Sequence, residues 1–286
     1  MKLSCIFVSH RRALFEIEND FYFQSEFDNQ IYINDTLYGK TKRNVFAVDG
    51  LLPETSYCVT VKCNDSSKSS LRADFTTRSE FVRLNVKKFG ALGNGENNDT
   101  LAIQTAIMSC PENSTVYVPS GEYRVISLFL KSNITIELAE DAVIKAIENR
   151  DLYGILPGFT ESTDEQSEYY LGTWEGNPLD SYTSIITGIN VSDVVITGKG
   201  CIDGNASKND WWKNPKIKRG AWRPKTIFLN KCKNITIEGI QIKNSPCWTI
   251  HPFFSQNLNF LNLDIYNPPN SPNTDGIDPE SCKNVQ

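Results

Sequence analysis

The sequence predicts an all-β protein of two units: a β-sandwich in residues 1–80 and a right-handed parallel β-helix in residues 81–286. Three observations support this prediction. Short β-branched and aromatic runs separated by polar turns fill the first unit. One short motif recurs along the second unit, and a single amphipathic pattern precedes the repeats. We therefore expect a β-helix with a short capping helix at its start.

The first unit contains four runs typical of strands, at residues 13–17, 30–34, 44–48 and 57–62. The segment Leu-Leu-Pro-Glu-Thr-Ser-Tyr that ends at Tyr57 resembles the entry to a late strand of fibronectin type III domains. In such sandwiches the tyrosine hydroxyl bonds back to the corner and stabilises the fold. We interpret the unit as a fibronectin type III-like spacer or docking module of unknown partner, or as a structural cap on the next unit.

A short helix is predicted after the linker at residues 76–80. Its apolar stripe consists of Ile103, Ala106 and Ile107. We expect Asp99 to cap this helix by accepting hydrogen bonds from the free amides of its first turn. A helix in this place would cover the exposed core and strand edges at the open end of a stacked β structure.

A repeated Asn-Ile-Thr-Ile-like motif predicts the β-helix. It occurs at residues 133–138, 193–198, 234–239 and 257–262, and begins again at 284. Asn234, Asn257 and Asn284 are 23 and 27 residues apart, and such a period with strands but no helices indicates a β-solenoid. Stacked coils share one core, and an Asn at the same position of each coil can form a ladder of amide hydrogen bonds. Leucine-rich repeats and an α/β domain fit the pattern less well.

Composition excludes several classes of protein. A net charge of −5 argues against nucleic acid as a partner, because phosphate binding needs a clustered basic surface. The sequence contains no apolar span of 18 residues, the length that a membrane helix requires, and its N-terminus lacks a signal-peptide pattern. We therefore expect a cytoplasmic protein whose cysteines are reduced. With no CxxC or HExxH motif, and with His10 and His251 as the only histidines, we expect neither a metal nor a cofactor.

Two loops interrupt the repeats. The longer one, residues 151–183, contains Tyr169, Tyr170, Trp174 and Tyr182, and the second contains Trp211, Trp212 and Trp222. Loops of this length in a compact solenoid tend to be functional. Their aromatic residues could stack on sugar rings or anchor the loops to the body. The basic run at residues 213–219 could bind an anionic ligand or form a solvated loop.

The segment Ser-Pro-Asn-Thr-Asp-Gly-Ile-Asp, residues 271–278, is the candidate functional site. Read as a strand, it places Asn273 and Asp275 on one face, whereas Asp278 falls outside that alternation. Gly276 allows a backbone or a ligand to come close. An amide beside a carboxylate suits a polyhydroxylated ligand or a water to be activated. The alternative is an Asx-rich turn at the end of a strand.

This segment, preceded by Trp-Thr-Ile-His-Pro at residues 248–252, resembles the first signature of glycoside hydrolase family 28, the polygalacturonases. The resemblance extends back through Arg223-Pro224 and residues 198–204 to about Lys87, or roughly 200 of the 286 residues. It implies inverting hydrolysis of α-1,4-galacturonosyl bonds in galacturonan, an anionic polysaccharide. It also implies the bacterial exo-acting type, in which loops wall the cleft and restrict binding to a chain end.

The resemblance also implies roles for single residues. Asp275 corresponds to the carboxylate on the water-activating side of the reaction. Asn273 and Asp278 are expected to bind sugar hydroxyls. His251 is a further candidate for substrate binding, with a hydrogen-bonded structural histidine as the alternative. Arg223 is a candidate because an arginine fork suits a carboxylate.

The sequence departs from the family pattern in one respect. The general acid of the family lies in a tandem Asp pair, followed by Gly-His-Gly and Arg-x-Lys motifs, and residues 1–286 contain no Asp-Asp pair and no Gly-His-Gly. We therefore expect the N-terminal portion of a polygalacturonase, with little activity alone and a tendency to self-associate through its last coil. The alternatives are a non-catalytic carbohydrate-binding or adhesion protein and, less favoured, a calcium-dependent pectate-lyase-like enzyme.

Overall fold

The computed structural model describes residues 2–18, 20, 23–63, 70–160 and 170–286. Residue contacts divide the chain into two compact units, Met1–Phe81 and Val82–Gln286. Tyr169, one of the aromatic residues noted in the longer loop, lies outside the described residues. Within the described ranges, none of the helices combines the length and the hydropathy that a membrane span requires.

The first unit consists of two antiparallel sheets that enclose one apolar core. One sheet has the order β1-β2-β5 and the other has the order β4-β3-β6-β7. The core contains Phe15, with Phe46 stacked at 5.5 Å and Phe75 edge-on at 5.2 Å between ring centroids. This arrangement is a β-sandwich. Its strands are β1 (Lys2–Val8), β2 (Arg12–Glu18), β3 (Gln24–Ile33), β4 (Thr36–Arg43), β5 (Val45–Asp49), β6 (Ser56–Cys63) and β7 (Leu71–Thr76).

The tyrosine at the entry to β6 makes the bond expected of it. The backbone N–H of Leu52 donates to the hydroxyl oxygen of Tyr57 at 2.9 Å, and the Tyr57 ring stacks on Phe75 at 5.7 Å. The hydroxyl thus ties the strand to the preceding corner. The resemblance of the unit to fibronectin type III domains stays a prediction.

The second unit is a parallel β-helix with an α-helix after its first two strands. In its described residues, the helices are α1 (Thr100–Ser109) and two 3-10 turns (Val86–Phe89 and Arg150–Leu152). Its strands are β8 (Arg83–Asn85), β9 (Asn94–Asn98), β10 (Ser114–Val118), β11 (Gly121–Val125), β12 (Leu128–Phe129), β13 (Ile134–Leu138), β14 (Ala142–Ala146), β15 (Ile155–Leu156), β16 (Thr173–Trp174), β17 (Asn177–Pro178), β18 (Ser181–Tyr182), β19 (Ile186–Ile189), β20 (Ser192–Gly198), β21 (Cys201–Asp203), β22 (Ile227–Asn230), β23 (Lys233–Glu238), β24 (Gln241–Lys243), β25 (Ile250–Phe253), β26 (Gln256–Leu261), β27 (Asp264–Tyr266) and β28 (Lys283–Val285).

Three parallel sheets form the walls of the β-helix. The first sheet has the order β8-β10-β13-β20-β23-β26-β28, the second β9-β11-β14-β21-β24-β27, and the third β12-β19-β22-β25. Residues at equal positions of successive coils are aligned, as Ile136, Ile196, Ile237 and Phe260 are in the first sheet. Each coil therefore covers the apolar face of its neighbour, and all coils share one core. The predicted all-β fold with a parallel β-helix is confirmed.

The predicted asparagine ladder is present along the first sheet. Asn234 donates from Nδ2 to Asp193 Oδ1, Asn257 donates to Asn234 Oδ1, and Asn284 donates to Asn257 Oδ1, each at 2.9 Å. All four residues have a positive φ of 54° to 58°. Asparagine and aspartate tolerate this left-handed conformation better than other residues with a Cβ. The repeated Asx therefore satisfies both the bend of the coil and the bonds between coils.

Replacing Asn234 with alanine is expected to destabilise the second unit by about 2 to 3 kcal/mol, because two ladder bonds are lost and alanine resists a positive φ. Asn234→Gly loses the same bonds without that backbone strain, so its loss should be about 1 kcal/mol. All five tryptophans belong to the second unit, so urea unfolding followed by tryptophan fluorescence measures both variants. Equal stabilities for the alanine and glycine variants would contradict the role given to the backbone conformation.

The apolar stripe predicted for the capping helix is confirmed, but the predicted side-chain cap is not. Ile103, Ala106 and Ile107 are buried in the core of the β-helix. The prediction that Asp99 caps α1 through its side chain is wrong. Its carboxylate instead accepts hydrogen bonds from the amides of Leu92 and Gly93, at 2.7 and 3.1 Å. The Asp99 carboxylate therefore stabilises the turn that precedes α1, because the free amides of that turn lie within hydrogen-bonding distance of it.

Candidate functional site

The candidate segment lies one coil beyond β25 and extends the third sheet. Isolated parallel bridges join Ile250 to Ile277 and Phe253 to Glu280. The N–H of Thr249 donates to the carbonyl of Asp275 at 2.9 Å, and the N–H of Asp278 donates to the carbonyl of Ile250 at 2.9 Å. The backbone on both sides of Gly276 is therefore fixed to the preceding coil. We call residues 273–278 the acidic turn.

The acidic turn presents polar groups beside open space. Asn273 and Asp275 are exposed, and Asp278 is half-buried. A Cβ added at Gly276 would meet no atom within 4 Å, and the φ of this glycine is not positive. The backbone therefore does not require glycine here. The absence of a side chain leaves room beside Asp275 for a ligand.

The two carboxyl groups of the acidic turn differ in their surroundings. Burial, followed by the negative charge of Asp275, raises the pKa of Asp278 to about 6. The Oδ2 atom of Asp278 is buried and has no hydrogen-bond partner among the described residues. Asp278 is therefore protonated in mildly acidic solution, where it can donate a hydrogen bond.

Arg223 is buried beneath the acidic turn. Its Nη2 donates to Asn273 Oδ1 at 2.7 Å. Its Nη1 donates to two backbone carbonyls, of Pro246 at 2.6 Å and of Pro272 at 2.9 Å. The guanidinium thus bonds to protein groups, and this placement does not support the predicted contact with a substrate carboxylate. Arg223 instead orients the Asn273 side chain, because an Oδ1 atom that accepts from Arg223 leaves Nδ2 to donate elsewhere.

His251 is fully buried beside the rings of Trp248 and Phe228. Its Nε2 lies 3.0 Å from Glu280 Oε2, and burial together with the charge of Lys225 lowers its pKa to about 3. The imidazole is therefore neutral near pH 7, and Nε2–H donates to the Glu280 carboxylate. This geometry fits the structural histidine that was the alternative. The placement does not support direct binding of a sugar by His251.

Two charged residues that the sequence analysis missed lie beside His251. Lys225 is 2% exposed, and its Nζ donates to the carbonyl of Thr173 at 2.7 Å. Burial raises the pKa of Glu280, and the charge of Lys225 and a hydrogen bond from the Gly176 N–H oppose this shift. One sequence signal could have revealed Lys225. It comes just before the fully buried strand β22, where a lysine is unusual.

The longer loop is anchored by tryptophan. Trp174 stacks on Trp222, with 5.3 Å between ring centroids and 19° between ring planes, and on Trp248, with 5.0 Å and 13°. The Trp174 indole thus packs against two other indoles. Trp211 is fully buried, with the rings of Tyr153 and Tyr182 against it. Of the two roles considered for the loop aromatics, these two tryptophans serve as anchors.

The basic run at residues 213–219 is only partly paired. Asp210 forms ion pairs with Arg150 and Arg219 and joins the start of the longer loop to this run. Lys213, Lys216 and Lys218 are exposed. In the described part of the chain, no three His, Cys, Asp or Glu side chains are grouped in a way that could hold a metal ion.

The fold and the site together define a parallel β-helix protein with an acidic turn on the edge of its third sheet. The sequence profile of glycosyl hydrolases family 28 matches residues 114–286, which is more than half of the chain. The protein therefore belongs to glycosyl hydrolase family 28, as its sequence motifs suggested.

Named relatives and solved structures agree with this assignment. A probable polygalacturonase of Vitis vinifera is 33% identical over 210 residues, 69% of this chain and 40% of the relative. An exo-poly-alpha-D-galacturonosidase of Dickeya chrysanthemi is 29% identical over 69% of this chain and 32% of the relative. The chain thus spans less than half the length of these two relatives.

Among solved structures, the family 28 exopolygalacturonase of Yersinia enterocolitica matches 99% of this chain and 61% of its own, with a TM-score of 0.71 and 23% identity. The exopolygalacturonase of Thermotoga maritima matches 71% of this chain and 50% of its own, with a TM-score of 0.56 and 26% identity.

Proposed function

We propose that the protein acts on galacturonan as an inverting, exo-acting glycoside hydrolase, with Asp275 as the carboxylate that activates the attacking water. The observation that carries the proposal is the exposed Asp275 carboxylate beside the open space at Gly276, within the signature of the family. The exo-acting type is supported by the names of the similar proteins from Dickeya, Yersinia and Thermotoga.

Each residue of the acidic turn has a part in this proposal. An inverting glycosidase needs a base carboxylate that deprotonates water and an acid that protonates the leaving oxygen, about 6.5 to 9.5 Å apart. Asp275 supplies the base. Asn273, whose Oδ1 accepts from Arg223, turns its Nδ2 group towards a sugar hydroxyl or the attacking water. Asp278 binds a sugar hydroxyl, and its proton below about pH 6 makes it a donor.

The family resemblance implies a proton donor of a particular kind, and residues 1–286 do not contain it. That acid is expected in a tandem Asp pair, which the sequence does not contain. We therefore propose that this chain binds oligogalacturonate but turns it over slowly when it is assayed alone.

Titration calorimetry with trigalacturonate tests the proposal. Asn273→Ala is expected to weaken binding about 5- to 10-fold, because one hydrogen bond to the sugar is lost. Asp275→Asn should bind at least as tightly as the unchanged protein, since it removes a negative charge next to an anionic sugar. A neutral galactose trimer is the control ligand and should not bind.

Each other outcome changes the conclusion. If trigalacturonate does not bind saturably, galacturonan is not the substrate. A product that absorbs in the ultraviolet indicates β-elimination instead of hydrolysis. Binding without turnover by the longest natural form of the protein favours the non-catalytic carbohydrate-binding alternative.

A further inference from the structure

We infer that Lys225 is a positioning residue that holds the strap, residues 173–178 of the longer loop, against the coils that carry the acidic turn. The strap is the hairpin of β16 and β17. That the acidic turn binds a sugar rests on the proposed function, whereas the contact between Lys225 and the strap does not.

The groups around Lys225 Nζ include both the backbone and a side chain of the strap. Burying an ammonium group is unfavourable unless partners replace its water. The hydrogen-bond acceptor that the structure places at Nζ is the carbonyl of Thr173, the first residue of the strap. The rings of Trp174, Phe228 and Trp248 surround Nζ at 5.5 to 5.7 Å from their centroids and provide cation–π attraction. A lysine in this cage thus favours a strap whose carbonyl and indole are both in place.

A second contact fixes the other side of the strap. The N–H of Gly176 donates to the carboxylate of Glu280, which also accepts from His251. Burial raises the pKa of Glu280, and the positive charge of Lys225 opposes this rise because it favours the ionised carboxylate. Glu280 comes two residues after Asp278. The strap is therefore bonded both to Lys225, just before β22, and to Glu280, two residues beyond the acidic turn.

The tryptophan stack connects the strap to the beginning of the acidic turn. Trp222 precedes Arg223, whose guanidinium holds Asn273. Trp248 precedes Thr249, whose N–H holds the carbonyl of Asp275. Because Trp174 of the strap stacks on each of these two indoles, a displaced strap removes a packing partner from both. Lys225 thus acts on the acidic turn through the strap, because its Nζ hydrogen bond is made to the carbonyl of Thr173.

The variant Lys225→Met tests this inference, because methionine fills the cage but offers neither a hydrogen-bond donor nor a charge. We expect loss of the near-ultraviolet circular dichroism of the stacked indoles and stronger quenching of tryptophan fluorescence by acrylamide. We also expect trigalacturonate binding to weaken by about 10-fold, as the acidic turn loses its support. The matched control is Lys145→Met on β14, which removes a half-buried lysine paired with Glu122 and should leave the indole signal unchanged.

Wild-type dichroism and quenching in Lys225→Met would overturn the inference. If Lys225→Met does not fold by far-ultraviolet dichroism, Lys225→Gln replaces it, since it keeps a neutral donor. Faster hydrogen exchange of the Trp174 and Gly176 amides than in Lys145→Met then supports the inference, and equal exchange overturns it. The spectroscopic results need no ligand. Failure of trigalacturonate to bind the unchanged protein would therefore refute the proposed function without deciding the role of Lys225.

Discussion

Gly198→Ala is expected to destabilise the second unit by about 4 kcal/mol or more, a loss that few single substitutions reach. The φ of Gly198 is +124°, and a Cβ at this position would lie 2.0 Å from the carbonyl oxygen of Leu138 on the neighbouring coil. Because the obstacle is backbone, no side-chain rotation can relieve it, and the two coils must separate locally. Urea unfolding followed by tryptophan fluorescence measures the loss.

Gly276→Ala is the matched control for stability in the same unit. The φ of Gly276 is not positive and its Cβ position is open, so its effect on unfolding should be within about 0.5 kcal/mol. Similar stabilities of the two alanine variants would show that the coils can separate at Gly198 with little loss of free energy.

Acidification from pH 7 to pH 4 is expected to destabilise the unchanged protein by about 3 kcal/mol more than the variant His251→Gln. The pKa of His251 is lowered from 6.5 to about 3 in the folded protein. Between these values the unfolded chain binds a proton that the folded protein does not, so the free energy of unfolding falls as the pH falls. Above about pH 7.5 the imidazole is neutral in both states and contributes no pH dependence. Glutamine keeps a donor towards Glu280 but does not titrate.

The comparison with His251→Gln isolates the histidine from other groups. The raised pKa of Asp278 acts in the opposite direction, because the folded protein then binds a proton more readily than the unfolded chain, and this effect is common to both proteins. His10→Gln in the first unit is the control and should leave the pH dependence of tryptophan-detected unfolding unchanged. Parallel pH profiles for the unchanged protein and His251→Gln would mean that His251 gains its proton in the folded state.

The repeating part of the fold could be predicted from the sequence because each coil repeats the same local requirement. A left-handed bend favours an Asx residue, and apolar residues at every second position after it, such as Ile235 and Ile237, face the core. These two signals recur together at Asn234 and Asn257, so the ladder and the alignment of the coils follow from the period. The stripe of α1 was predictable for the same reason, since a helical period lies within one segment.

The contacts around the site could not be predicted in this way, because they join segments with no common period. Lys225 meets Thr173 across 52 residues, and His251 meets Glu280 across 29. The pairing depends on where the longer loop returns to the third sheet, and nothing in either segment specifies the other. The prediction that Asp99 caps α1 was wrong for a related reason, since the sequence does not show which free amides lie closest to a carboxylate in the folded chain. The acidic turn itself was predictable because its residues are adjacent.

The asparagine ladder has a direction along the chain. Each side-chain amide in it donates to the coil that precedes it, and the series starts at Asp193, which can only accept. The coils that begin at Asn234, Asn257 and Asn284 therefore each find their acceptor on the coil that precedes them in the chain. A chain that leaves the ribosome from its N-terminus can add these coils one at a time, each on a finished template, so the order of synthesis and the order of assembly coincide.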